Sequence, residues 1–250
     1  MWYREFLNKY KSGISHEFLF YFNVRDLVDN YRYIDRYIYE EFIKPRGFSI
    51  VAFYDISRGL TFLEPGMEKE FNIITSNEAE GLMRALPSRI FPYIDRALKN
   101  TKMAIFIDHV EKIIPAGDIG SLSLEERSAL IWICEWSVNA RISAVGSAIF
   151  MLADNLADVS REVSKSSYRI EPILVELPGE AERREYIKYL LKDGNVKMDI
   201  TFDEFAKLSS GLSKKSIKDI KLKAEAEDVP ISFEFIKEKK RSVLQKEYGD

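Results

Sequence analysis

Two stretches of this sequence run through buried-type apolar residues and stop on polar groups that could do chemistry. Ala104-Ile105-Phe106-Ile107 leads into Asp108-His109-Val110-Glu111, and Ala148-Ile149-Phe150-Met151-Leu152 leads into Ala153-Asp154-Asn155. Unbroken apolar runs of this length read as strands buried on both faces of a sheet. A carboxylate just past such a strand stands at the carboxyl edge, where open α/β sheets bind their ligands. There it can hold a divalent cation. Asp55 closes a third run, Phe48 to Tyr54. Together Asp55, Asp108 and Glu111 raise one function class: a metal-dependent phosphoesterase or nuclease built on strand-end carboxylates. Arg58 is the one evident phosphate grip near Asp55, which weighs against that class.

Positioning those groups requires a parallel sheet, and the rest of the pattern supplies one. Strands are expected at 18–22, 48–54, 103–107, 148–152 and 172–177, separated by helical spacing. Tyr33, Ile34, Tyr37, Ile38 and Phe42 fall on one helical face, and Pro45-Arg46-Gly47 stops that helix. Residues 56–76, with Gly59, Pro65 and Gly66, read as irregular. A helix is expected from Glu78 to Lys99, interrupted near Pro87 and Pro92. Ser123-Leu124-Glu125-Glu126 has the form of a capping box opening another, to about Asn139. After Pro178-Gly179 the strands cease, and four helical stretches follow: Glu180–Leu191, Phe202–Ser209, Ser213–Ala226 and Ile231–Glu247.

Taken in order, these segments resemble the AAA+ ATPases. Residues 104–108 look like the family's Walker B strand, and residues 148–155 like its sensor-1 strand with a polar Asn155. Ile173 to Tyr186 is similar to the family's apolar strand, Pro, acidic run and Arg-rich helix start. Leu208 to Ile220 is similar to the lid segment where a Gly-Leu-Ser turn opens a helix. The resemblance implies a P-loop NTPase-like body with a five-stranded parallel sheet over residues 1–178 and an all-α lid over 179–232. Residues 233–250, ending Gly249-Asp250, read as a terminal helix and a linker to a second AAA+ module.

The motif that would grip phosphate is missing. A hydrolysing P-loop needs G-x-x-x-x-G-K-[ST] after its first strand, so that backbone N–H groups wrap the phosphates and the Lys reaches them. Asn23-Val24-Arg25-Asp26-Leu27-Val28-Asp29-Asn30 stands there instead, with no Gly, no Lys and two carboxylates, and the chain contains no Gly-Lys pair. His109 occupies the position of the Glu that would polarise water; it reads as a loop histidine making a local hydrogen bond. Glu111 lies two residues further on. Arg161 and Arg169 fall in the stretch where an arginine finger would lie, but surface ion pairing explains them equally well.

The resemblance therefore implies a degenerate nucleotide site formed by Asn23, Val24, Arg25, Asp26, Asp108, His109 and Asn155. Asp108 marks a vestigial magnesium position, and no residue is assigned a catalytic role. Asp26 and Asp29 are expected beside Asp108, in a pocket filled by protein where Asp108 accepts hydrogen bonds from backbone or from Arg25. No cofactor is expected to bind strongly, although ATP and magnesium serve the parent family. An alternative is a module that binds nucleotide without hydrolysing it. The expected role is that of the non-hydrolysing N-terminal module of a tandem AAA+ ATPase, assembling with a second module and neighbouring protomers, a hexamer being one form.

Bulk composition removes other classes. Thirty-seven Lys+Arg against 40 Asp+Glu gives a formal charge of −3, which argues against a nucleic-acid partner. One cysteine and two histidines exclude an internal disulfide and Cys/His zinc sites. No apolar run approaches the ~20 residues of a membrane span. A cytoplasmic protein with no membrane partner is the expectation.

Overall fold

The computed structural model describes residues 2–165, 167–194 and 196–248. Gly249 and Asp250, the expected linker, lie outside the described residues. The chain divides into two compact units: residues 1–24 with 38–175, and residues 25–37 with 176–250.

The first unit is α/β. Its elements are α1 (Trp2–Lys11), β1 (Glu17–Phe22), β2 (Ile50–Asp55), β3 (Gly59–Phe62), α3 (Pro65–Ile74), α4 (Pro87–Asn100), β4 (Met103–Ile107), α5 (Leu124–Ser137), α6 (Ala140–Val145), β5 (Ala148–Ala153) and β6 (Ile170–Val175). A short helix, α2 (Ile34–Ile38), precedes β2 and passes into a π turn at Tyr39–Ile43. The six strands lie in the order β3-β2-β4-β5-β1-β6.

The five expected strands are all present and pair in parallel. β3 is a sixth, which the sequence reading missed; it pairs antiparallel with β2 through Asp55↔Gly59 and Ala52↔Phe62. It is only four residues long and begins on Gly59, at φ +77. A Cβ at Gly59 would stand 2.1 Å from the Met83 carbonyl oxygen, so only glycine makes this turn.

Residues 56–76 are accordingly not irregular, since Pro65 opens α3 rather than breaking structure. The helix expected from Glu78 begins instead at Pro87, again with proline in the first turn. Ser123 makes the expected capping box: its Oγ accepts from Glu126 N at 3.2 Å, and Glu126 Oε2 accepts from Ser123 N at 2.6 Å.

β4 and β5 are apolar throughout because both their faces are covered. On one face Phe6 of α1 meets Phe18, Phe42 and Phe150 at ring separations of 4.8, 4.8 and 5.8 Å. A second core holds Ile105, Ile107, Phe91, Ile94, Ile133 and Trp136. Every residue of β4 and β5 is buried, so these strands are fixed and their carboxyl ends are held in place.

The second unit is helical: α7 (Glu180–Leu190), α8 (Phe202–Leu208), α9 (Lys214–Glu227) and α10 (Phe233–Tyr248). Its described residues contain no strand, only two isolated bridges, Leu27↔Tyr33 and Met198↔Ile231. Tyr186, Ile187, Phe205, Leu212, Ile217, Ile220 and Ile236 form its core. Arg183, in the Arg-rich helix start, is buried and donates to the Pro178 and Ala206 carbonyls, a structural use of its charge. Residues 25–37, which the sequence reading set within the body, group with these helices.

Candidate functional site

The carboxyl edge of the sheet carries what the two apolar runs promised. β4 and β5 are neighbours in register, Ile107 opposite Met151, so the residues after each strand emerge side by side. Asp108 is half-buried; its N–H donates to the Tyr54 carbonyl at 2.9 Å, and its Oδ1 accepts from His109 N at 2.8 Å.

His109 adopts the left-handed conformation, φ 51, which turns the chain into the short 3₁₀ turn Val110–Lys112. That turn brings Glu111 back: His109 Nδ1 and Glu111 Oε1 are 3.6 Å apart. Glu111 is buried, with its side chain 3% exposed, and its Oε2 has no hydrogen-bond partner. From the next strand end, Asp154 contributes a third group. One ligand atom from each of His109, Glu111 and Asp154 lies within 4.8 Å of the others.

Asn155 is exposed and faces its own loop, accepting from Ala157 N at 3.1 Å to cap the turn Leu156–Asp158. Asp55 is consumed locally. It accepts from Ser57 N, Ser57 Oγ, Arg58 N and the Arg58 guanidinium. Burial alone would raise its pKa, but those four donors outweigh burial and bring it down to about 2.

The segment after β1 has a different fate. Asn23 N donates to the Val175 carbonyl at 3.2 Å, and Val24 is buried. Arg25 and Asp26 belong to the helical unit. Asp26 is 2% exposed, and its two carboxylate oxygens accept from the backbone N–H groups of Lys214 (2.8 Å) and Lys215 (2.9 Å). Those are the first residues of α9, a 14-residue helix whose N-terminus carries orphan donors and partial positive charge.

Asp29 is held by Arg32, through its backbone N–H and guanidinium, and by Tyr31 N. Those bonds outweigh burial and lower its pKa. The Lys214 ammonium is buried and donates to the Asp29 carbonyl at 2.9 Å. Its pKa is lowered by that burial, against the pull of Glu182, Asp26 and Asp29.

Of the residues singled out in the sequence, Asp108 and His109 stand together at the strand end. Asn155 lies on the adjacent strand end but turns to its own loop, and Asp26 spends its charge on α9. The sequence reading missed the grouping of Glu111 and Asp154 with His109. The signal lay in plain view: each sits one to four residues past a buried strand.

A parallel, helix-covered α/β unit and a separate all-helical unit in one chain define a Rossmann-like nucleotide-fold class with a helical second domain. Comparison with protein families gives that class a name. Residues 1–176 match the AAA+ chaperone, N-terminal Rossmann-like domain, and residues 181–249 match the AAA+ chaperone, second helical domain. This chain belongs to the AAA+ chaperone family. A search among curated proteins finds no match.

Proposed function

We propose that this chain is an AAA+ chaperone-family module that has given up phosphate binding and acts in assembly or regulation. One observation carries the reading: the buried Asp26 carboxylate accepts from Lys214 N and Lys215 N at the start of α9. A helix N-terminus is a ready anion site, and here the chain's own carboxylate takes it. An incoming phosphate would have to displace a buried, doubly hydrogen-bonded group of its own charge. The surrounding segment, residues 23–30, offers no glycine for a backbone cradle and no lysine.

The residues present therefore do not fit a triphosphate. On this reading ATP binding and hydrolysis fall to a second AAA+ module, and this one assembles with it and with neighbouring protomers around a protein client. Among the described residues no helix is long and apolar enough to cross a membrane. A metal-dependent phosphoesterase built on Asp55 and Asp108 is disfavoured, because Asp55 is already filled by Ser57 and Arg58.

The test is phosphate release from ATP with magnesium, using the whole chain. Release at the no-protein background is expected. Turnover that Asp108→Ala abolishes would overturn the reading.

A further inference from the structure

The α/β unit holds a second feature that the proposed role does not use. Glu111 is a buried carboxylate with Oε2 unpartnered. A buried carboxylate oxygen left without a hydrogen-bond partner is unfavourable, and proteins compensate it with a proton, a cationic side chain or a metal. The neighbours that face it are metal-ligand types. His109 Nδ1 lies 3.6 Å from Glu111 Oε1, and Asp154 brings a carboxylate oxygen within 4.8 Å of both. Donors on one zinc-sized ion sit about 2.0–2.2 Å from it. Two such donors are therefore about 3–4 Å apart, which the His109–Glu111 separation already meets. Asp154 is exposed and stands one residue past the end of β5.

We propose that His109, Glu111 and Asp154 form a site for a late first-row divalent cation, of the Zn²⁺ or Ni²⁺ kind, at the carboxyl ends of β4 and β5. One imidazole with two carboxylates is a borderline donor set that suits such ions better than magnesium, which prefers all-oxygen octahedral ligation. The scaffold is prepared for it. β4 and β5 are wholly buried and in register, and the left-handed His109 folds the 3₁₀ turn that sets Glu111 beside the imidazole. The three ligands leave room for water or a partner's side chain in the fourth position, an arrangement open enough for recruitment of another protein. The site makes no use of the α9 N-terminus, so it stands or falls apart from the loss of phosphate binding.

The experiment is calorimetric titration of the whole chain with ZnCl₂, and separately with MgCl₂, in the absence of nucleotide, together with melting temperature at each addition. His109→Asn removes the imidazole while keeping a residue that tolerates the left-handed backbone. Asp154→Asn alters an exposed position, and circular dichroism checks that both variants fold. The expected result is one zinc equivalent bound with a dissociation constant of about 10 µM or tighter, no comparable magnesium binding, and a zinc-dependent rise in melting temperature. Each variant should weaken zinc by about tenfold or more, the scale of loss that even an outer-shell partner produces. Zinc binding unchanged in both variants would overturn the site, as would a wild-type chain that binds zinc no more tightly than about 1 mM. A magnesium affinity equal to that for zinc would overturn the assignment of the cation.

Discussion

The N-terminus of α9 and the carboxyl edge of β4 and β5 are both places where a fold of this kind can receive a charged ligand, and the chain treats them in opposite ways. At α9 the charge is internal and satisfied. Asp26 is buried with both oxygens bonded to helix N–H groups, and Lys214 beside it donates to the Asp29 carbonyl. At the sheet edge Glu111 is as deeply buried, yet one of its oxygens has no partner. At α9 the helix N–H groups already have a carboxylate acceptor from the chain itself. An unfilled carboxylate argues for a ligand still to come. The chain belongs to the AAA+ chaperone family, and the charged groups of its two units are satisfied in different ways.

The sharpest way to break this comparison is at Asp26. Asp26→Ala leaves the first N–H groups of α9 uncapped in a buried setting, beside a buried ammonium. It should cost about 2–3 kcal/mol, read as a lower urea midpoint by circular dichroism. A loss below about 0.5 kcal/mol would mean that the carboxylate is incidental.

Asp55 is the α/β unit's own satisfied carboxylate, and its removal should cost somewhat less. Asp55→Ala should lose about 2 kcal/mol at neutral pH. Its folded-state pKa, about 2, lies below the ordinary 3.8, so the stabilisation is full above pH 4 and fades as pH falls toward 2. Wild type and variant should therefore converge in acid. A gap that stays constant down to pH 2 would contradict the ionic account.

The smallest effect, and the opposite sign, belongs to Glu17 in β1. It is fully buried and neither carboxylate oxygen has a partner, so burial pushes its pKa well above the usual 4.5. The folded chain then keeps a proton that the unfolded chain releases above pH 4.5, and stability falls as pH rises from there toward the folded-state value. Glu17→Met should gain about 1 kcal/mol at pH 7 and nothing at pH 4. Thermal melts at the two pH values check it, and a destabilised variant at pH 7 would show that the carboxyl has a partner.

Much of the fold was legible because β4 and β5 are unbroken apolar runs, a signal that only doubly buried strands leave. β3 was not, being four residues long and defined by the fit of Gly59 against Met83 rather than by pattern. α3 and the true start of α4 were hidden because Pro65 and Pro87 look like breakers, although proline is at home in a helix's first turn. Asp108, His109 and Asn155 were legible as residues that follow strand ends, and they do follow β4 and β5. The partnership of Asp26 with Lys214 spans 188 residues and leaves no local trace. The approach of Asp154 to His109 depends on β5 pairing with β4, which periodicity does not encode.

The central claim, that the chain's own carboxylate has taken the place of phosphate, is tested most directly by calorimetric titration of the whole chain with ATP and ADP in magnesium buffer. The account predicts no dissociation constant tighter than about 100 µM for either nucleotide. A constant in the low micromolar range, about 1–10 µM, would contradict it.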